Sequence, residues 1–224
     1  MRVLVIGGSS GIGLATARAC AARGWSVVVA SRDPERAEVD AERIRLDVTD
    51  RAAVDTVVGG LGPIDHLVCS TVARAGGPAK GLDLDAARIA FETKLWGPFA
   101  AVQAADVRRS IVLMSGAAAS TPMRNASATA AVNGAVESLV RTLAVELAPV
   151  RVNAVSPGIV DTPTWSAMGD DARQAMFDRL GGTLPAGRIG DPDEIAAGIV
   201  FLLESDFVTG EVLHVDGGHR LAAP

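Results

Sequence analysis

The sequence contains no tyrosine and is poor in other residue types that define common kinds of protein. The absence of tyrosine excludes any mechanism in which a phenol exchanges a proton. Aromatic residues make up only 4% of the 224 residues, so helices and strands must pack through Ala, Val, Ile and Leu. Cys20 and Cys69 are too few for a disulfide framework and lack a partner at metal-binding spacing. We expect both to be small buried hydrophobes.

Lysine is almost absent as well, with Lys80 and Lys94 as the only two candidates for a catalytic lysine. No apolar run approaches the roughly 20 residues that span a bilayer, and the apolar start is too short for a signal peptide. A net charge of −5 and a pI near 5.2 argue against a broad nucleic-acid surface. We expect a cytoplasmic protein that binds a small molecule, and neither nucleic acid nor a membrane.

Apolar and charged segments alternate along the chain in the order of an α/β protein. With 49% hydrophobic residues, the chain fits one domain over residues 1–224. The predicted strands cover residues 2–6, 25–30, 43–48, 64–70, 110–115, 151–155 and 211–215. Helices are predicted over 14–23, 51–60, 84–105 and 126–147, and from 191 onward. This alternation predicts a doubly wound parallel sheet, the Rossmann fold, in a single domain.

A glycine-rich turn joins the first strand to the first helix. It reads Gly7-Gly8-Ser9-Ser10-Gly11-Ile12-Gly13. In a strand–turn–helix–strand unit these glycines allow a tight turn, close approach of a pyrophosphate and close packing of helix on strand. The helix N-terminus adds free N–H groups for the phosphates. The predicted dinucleotide contacts here are Gly7, Ser9, Ser10, Gly11, Ile12 and Gly13.

The end of the second strand favours NADP over NAD as the cofactor. An acidic residue there would bind the ribose hydroxyl of NAD, whereas arginine accommodates the 2′-phosphate of NADP. The chain has Ser31 and Arg32 at this position, followed by Asp33 and Pro34, which are typical of a helix start. The alternative is that Arg32 is a solvated loop residue.

Several motifs then resemble one family across nearly the whole chain, the short-chain dehydrogenase/reductases. They are Gly7-x3-Gly11-x-Gly13, Asp47-Val48, Arg151-Val152-Asn153-Ala154-Val155-Ser156-Pro157-Gly158, Asp161-Thr162 and Asp216-Gly217-Gly218. The resemblance implies that Asp47 lies against the adenine and that residues 157–162 line the nicotinamide and its phosphate. The cofactor contacts it adds are Asp47, Val48, Ser70, Asn133, Pro157, Gly158, Ile159 and Thr162.

The family's proton relay is the part that this sequence does not keep. The resemblance implies a tyrosine acid/base, a lysine four residues later, a serine that holds the carbonyl and an asparagine that holds a water. The register set by Leu143-Ala144-Val145-Glu146-Leu147 places the tyrosine position at Thr129 and the lysine position at Asn133. The serine position is Ser115, and the asparagine position is Lys94. The usual Asn-Asn-Ala-Gly segment is replaced by Cys69-Ser70-Thr71-Val72.

These replacements should cripple carbonyl reduction without abolishing cofactor binding. The hydroxyl of Thr129 cannot match the acidity of a phenol, and Asn133 has no charge with which to lower a neighbour's pKa. A positioned acid or base contributes about 10² to 10⁴ in rate. Lys94 is a candidate for a relocated acid or for the missing positive charge, although it could equally extend from the helix flank into solvent.

The remaining candidate residues are less informative. We expect His66, His214 and His219 to be structural or solvated and far from the relay positions. Arg124 and Asn125 could touch substrate or lie in a solvated loop. An apolar ligand surface, a mobile lid or plain core packing would each explain the apolar residues of the segment 162–190. They are Trp165, Met168, Met176, Phe177 and Leu180. By the family resemblance, helices 84–105 and 126–147 would form the faces of a homodimer, and the C-terminal strand would join dimers into a homotetramer; the alternative is that these helices only pack on their own sheet.

Three functions remain open at this level. The first is an atypical NADP-dependent oxidoreductase acting on a carbonyl or alcohol through Ser115, Thr129 and Lys94. The second is a catalytically silent cofactor-binding protein, a sensor or the partner of an active paralogue. The third is non-redox chemistry, such as isomerisation or elimination, on the same fold. The paired loss of the tyrosine and the lysine favours the second function, and the intact cofactor motifs favour the first.

Overall fold

The computed structural model describes residues 1–73 and 75–222. Seven parallel strands form one sheet in the order β3-β2-β1-β4-β5-β6-β7. The strands are β1 (Arg2–Ile6), β2 (Ser26–Ser31), β3 (Glu42–Arg45), β4 (Ile64–Cys69), β5 (Val107–Met114), β6 (Arg151–Pro157) and β7 (Val212–Val215). The predicted parallel sheet is therefore confirmed, with β3 shorter than the predicted segment 43–48.

Helices cover both faces of this sheet. They are α1 (Gly11–Ala21), α2 (Arg51–Gly59), α3 (Leu84–Phe91), α4 (Gly97–Ala104), α5 (Ser127–Glu146), α6 (Asp170–Gly181) and α7 (Pro192–Glu204). The predicted start of α7 is confirmed, because Asp191 and Glu194 form a capping box. Within the described ranges, no helix is long and apolar enough to cross a bilayer.

Two hydrophobic cores lie on the two faces, because alternate residues of each strand point to opposite sides. In β1, Leu4 packs with α2, α4 and α5, while Val3 and Val5 pack with α1 and α7. Both cysteines are buried in these cores, and burial raises the pKa of each thiol to about 12. This agrees with their predicted role as small hydrophobes.

The helix predicted over 84–105 is continuous but not regular. A wide π turn, Glu92–Trp96, separates α3 from α4 and contains Lys94. Such turns leave a carbonyl without its usual helical partner and often occur at functional sites. The hydroxyl of Thr71 donates to the oxygen of Thr93 at 2.6 Å and satisfies one of these carbonyls. Thr71, from the altered segment after β4, thus supports the turn that holds Lys94.

Candidate active site

A cavity of about 400 Å³ opens at the carboxyl ends of β1, β4, β5 and β6. Helix α1 leaves β1 on one face of the sheet and α4 packs on the other, so the crevice between β1 and β4 is where this fold binds ligands. Its walls are largely apolar. The predicted site residues that line it are Gly7, Ser10, Gly11, Ile12, Ser70, Lys94, Ser115, Thr129, Asn133, Pro157, Gly158, Ile159 and Thr162.

The glycine turn at the base of the cavity admits no side chains at two positions. Gly7 has a φ of +85°, and an added Cβ would lie 2.8 Å from the oxygen of Ser70. An added Cβ on Gly13 would overlap the oxygen of Gly7, which shows how closely α1 packs on the turn. The side chain of Ser10 makes no capping bond, so the N–H groups at the start of α1 remain open to phosphate oxygens.

A second group of predicted residues lies outside this cavity, at the ends of β2 and β3. The Ser31 hydroxyl is buried and has no hydrogen-bond partner within the described chain, and Arg32 beside it is exposed. Asp47 accepts bonds from the N–H (3.0 Å) and hydroxyl (2.8 Å) of Thr49. These bonds, aided by the charge of Arg32, lower the pKa of Asp47. Because parallel strands end at one edge, this group lies on the same edge of the sheet as the cavity, and its contact with the adenosine of a cofactor stays a prediction.

Val48, Ser9 and Gly13 are the other predicted cofactor residues that do not line the cavity. Val48 is buried, and its carbonyl oxygen lies so close to Gly97 of α4 that an added Cβ would overlap it. Val48 therefore fixes α4 against the β3 side of the sheet. Its contact with a cofactor, like the contacts of the other site residues, stays a prediction.

The two hydroxyl groups at relay positions both donate their protons to protein acceptors. Ser115 donates to a carboxylate oxygen of Glu137 at 2.7 Å, and Thr129 donates to the backbone oxygen of Ala75 at 3.2 Å. A hydroxyl has a single proton to donate. In this arrangement neither Ser115 nor Thr129 donates a hydrogen bond to a ligand, although each retains an acceptor lone pair.

Asn133, at the lysine position, has a hydrogen-bond partner among the described residues for only one of the two polar atoms of its side chain. Its amide nitrogen donates to the oxygen of Gly116 at 3.1 Å, while its Oδ1 is buried with no partner in the described part of the chain. Buried polar atoms are rarely left unpaired without a reason. A ribose hydroxyl donating to Oδ1 would complete the site. Together with the glycine turn and the unpaired Ser31 hydroxyl, this atom shows that the cleft fits a dinucleotide.

Lys94 is buried on the cavity wall, with 8% of its surface exposed. Its Nζ donates to the backbone oxygen of Ser115 at 2.8 Å. The alternative of a lysine extended into solvent is therefore wrong. Burial lowers the pKa of the ammonium to about 8, and the negative charge of Glu137 opposes part of this shift. Lys94 can consequently exchange a proton close to physiological pH.

Two residues of this site were not predicted from the sequence. Glu137 lies one turn after Asn133 on α5 and binds the hydroxyl of Ser115. His219 lines the cavity beside the segment after β6, so the expectation that it lies far from the relay positions is wrong. His66 is structural as expected: it stacks on Trp25 with ring centroids 5.0 Å apart.

The loop predictions are resolved in part. Asn125 lines the cavity with a φ of +61°, and its carbonyl accepts a bond from Gly77. Of the apolar residues in the segment 162–190, Trp165 lines the cavity, and Phe177 of α6 is buried edge-on against it at 6.2 Å. Phe177 therefore agrees with core packing, while the ligand surface and the mobile lid stay predictions.

Comparison with known proteins agrees with this geometry. A family model described as enoyl-(acyl carrier protein) reductase matches residues 7–220. The cis-4-hydroxycyclohexanecarboxylate dehydrogenase of Sinomonas cyclohexanicum is 35% identical, over 96% of this chain and 95% of that one. The L-xylulose reductase of Bos taurus is 32% identical, over 97% and 95%.

A solved structure of a small-chain dehydrogenase in complex with NADPH superposes with a TM-score of 0.91 at 33% identity, covering 99% of both chains. The chain belongs to the short-chain dehydrogenase/reductase family. The ligand-free aldohexose dehydrogenase of Thermoplasma acidophilum gives a TM-score of 0.93 at 31% identity, covering 100% of this chain and 95% of that one. Membership of this family of oxidoreductases, with an NADPH complex among its solved structures, supports the nicotinamide cofactor that the cleft fits.

Proposed function

We propose that the protein is an NADP(H)-dependent oxidoreductase that interconverts a carbonyl compound and its alcohol, with Lys94 in place of the family's tyrosine as the proton donor. The observation that carries the proposal is the position of Lys94: buried, on the cavity wall and with its Nζ 2.8 Å from the oxygen of Ser115. An ammonium has three protons to donate, and within the described ranges this bond uses one.

In the proposed reaction, Lys94 supplies the proton and the cofactor supplies the hydride. When bound, the nicotinamide supplies the hydride to the carbonyl carbon. The ammonium of Lys94 gives one proton to the carbonyl oxygen, becomes a neutral amine and regains a proton from water. In the oxidising direction the neutral amine accepts the proton of the alcohol. Glu137 offsets part of the burial cost of the charged amine, and Asn133 holds the ribose through Oδ1.

The preference for NADP over NAD rests on the end of β2. The exposed guanidinium of Arg32 and the unpaired buried hydroxyl of Ser31 suit a 2′-phosphate, and an acidic residue that would repel it is absent from these two positions. Asp47 is nearby, and its Oδ1 accepts both the N–H and the hydroxyl of Thr49. We place the 2′-phosphate against Ser31 and Arg32.

The test is NADPH oxidation with a panel of small ketones. Because a similar protein is named for cis-4-hydroxycyclohexanecarboxylate, 4-oxocyclohexanecarboxylate is the first probe. Turnover that Lys94→Met reduces by about 10²-fold or more, with NADPH affinity unchanged, supports the proposal. Lys80→Met, which removes the exposed lysine of another loop, is the matched control. Equal turnover in the wild type and in Lys94→Met would refute the role of Lys94.

A second candidate function is a catalytically silent cofactor-binding protein. The donation of both relay hydroxyls to protein acceptors favours it. The double variant Thr129→Tyr/Asn133→Lys separates the two candidates. If the wild type binds NADPH without turnover and the double variant gains turnover on the same ketone, the silent function is supported. Turnover in the wild type excludes it.

A further inference from the structure

His219 lies in a cavity wall that holds few ionisable groups. Among the described residues that line the cavity, Lys94 and His219 are the ionisable ones, and both are nitrogen bases. No carboxylate lines the described part of the wall. A cationic substrate would therefore find no counter-charge there, whereas an anionic or acceptor-rich substrate would find donors.

The backbone around His219 is held firmly in place. Asp216, at the end of β7, accepts bonds from the N–H groups of Gly218 (2.9 Å) and Arg220 (3.1 Å), and its carbonyl accepts the N–H of His219 at 3.0 Å. Gly218 has a φ of +81° and packs so tightly on Pro185 that an added Cβ would lie 2.6 Å from its Cγ. The turn thus fixes where the imidazole enters the cavity wall.

One ring nitrogen of His219 is buried without a partner in the described structure. Its Nδ1 is buried and has no hydrogen-bond partner within residues 1–73 and 75–222. A proton on Nδ1 would bury an N–H group without an acceptor, whereas a proton on Nε2 avoids this. Nε2–H is then the group that His219 offers to a ligand.

We propose that His219 is a substrate-binding residue, and that its Nε2–H anchors a carboxylate of the substrate at a distance from the reacting carbonyl. The inference rests on the proposed function and defines its substrate class as small keto or hydroxy acids with an apolar body. Ser115, beside Lys94, follows β5, whereas His219 follows β7. Two strand spacings, about 10 Å, separate these backbone segments. The two polar ends of the substrate therefore lie on different sides of the cavity.

The experiment compares 4-oxocyclohexanecarboxylate with 4-methylcyclohexanone in the wild type and in His219→Ala. A hydrogen bond to a charged group contributes about 10- to 100-fold in affinity. We expect His219→Ala to raise KM for the keto acid by that factor and to leave KM for the neutral ketone within about twofold. His219→Gln, which keeps a donor, should recover part of the loss. His214→Gln, which changes a histidine of β7 that does not line the cavity, is the matched control.

Binding measurements keep the test independent of turnover. Calorimetric titration of cyclohexanecarboxylate into the protein–NADP⁺ complex requires no redox step, and NADPH titration confirms that each variant is folded. Loss of carboxylate binding in His219→Ala and recovery in His219→Gln support the inference even if no ketone is reduced, which would refute only the proposed function. Equal changes for both ketones, or carboxylate binding that is absent from the wild type or unchanged in His219→Ala, would overturn the role of His219.

Discussion

The hydroxyl of Ser115 donates a hydrogen bond to the carboxylate of Glu137 at 2.7 Å, while the backbone oxygen of Ser115 accepts a hydrogen bond from Nζ of Lys94. One residue thus connects a buried cation with a carboxylate. The negative charge of Glu137 favours the charged form of Lys94. The site retains a serine at its centre, but that serine now supports an amine.

The first prediction concerns the pH dependence of Lys94. Its pKa of about 8 means that the ammonium predominates below pH 8 and the amine above it. Carbonyl reduction should therefore fall as the pH rises through about 8, and alcohol oxidation should rise over the same interval. Lys94→Arg keeps a charge that does not titrate in this range. It should therefore abolish the pH dependence of both rates, that is, the falling limb of the reduction profile and the rising limb of the oxidation profile. Stopped-flow measurement of the hydride step would show this, and pH limbs unchanged in Lys94→Arg would contradict it.

Removing the charge of Glu137 should change the pH at which the rates of reduction and oxidation change. Glu137→Gln keeps the shape of the side chain and an oxygen that can accept the Ser115 hydroxyl. Because the carboxylate raises the pKa of Lys94, its loss should lower that pKa further below its usual range. The limb for carbonyl reduction then shifts to lower pH. Glu146→Gln, an exposed change on the same helix, should leave the limb in place. A shift to higher pH in Glu137→Gln would show that the coupling has the opposite sign.

The choice of cofactor can be tested at Arg32. Arg32→Ala should weaken NADPH binding by about 10- to 100-fold, because it removes a charge-assisted bond to the 2′-phosphate. NADH binding should hardly change, since NADH has no such phosphate. Arg36→Ala removes an exposed arginine from the next turn and serves as the control. Equal effects of Arg32→Ala on both cofactors, measured by fluorescence titration, would instead assign Arg32 to adenine stacking.

The last prediction concerns stability and His66. Burial lowers the pKa of this ring from 6.5 to about 4, so the folded protein favours the neutral ring. The unfolded chain binds more protons between these values, and the free energy of unfolding should fall as the pH drops from 6.5 to 4. On the order of 3 kcal/mol of stability is lost over this interval.

The variant His66→Phe keeps an aromatic ring against Trp25 but loses the 2.8 Å bond to Ser110. Urea unfolding should show a less stable protein at pH 7 whose stability depends less on pH between 6.5 and 4. The carboxylates titrate in both proteins, so the difference between the two curves isolates the contribution of His66. Parallel curves would mean that His66 does not contribute to the acid limb.

The sheet could be predicted because the sequence patterns that indicate its strands and turns involve neighbouring residues only. Continuous apolar segments such as β1 and the glycine turn after it depend on neighbouring residues alone, and both agree with the structure. The π turn at Glu92–Trp96 was missed, and Gly97, directly after it, packs against Val48, a contact between residues far apart in the chain. His219 was missed for the same reason, because the turn after Asp216 brings the C-terminal segment to the cavity. Glu137 offered a signal: a single acid on an otherwise apolar stretch of α5, four residues after Asn133.

The wide turn at Glu92–Trp96 changes the direction in which the side chains after it point from the helix axis. It contains one residue more than a regular α-helical turn, so every later side chain is rotated by about 100° from where an uninterrupted helix would place it. Deleting one residue there would restore a regular helix and rotate Gly97 away from Val48, a contact that only a glycine fits. The length of the chain at this point, and not only its residue types, therefore determines how α4 packs on the sheet.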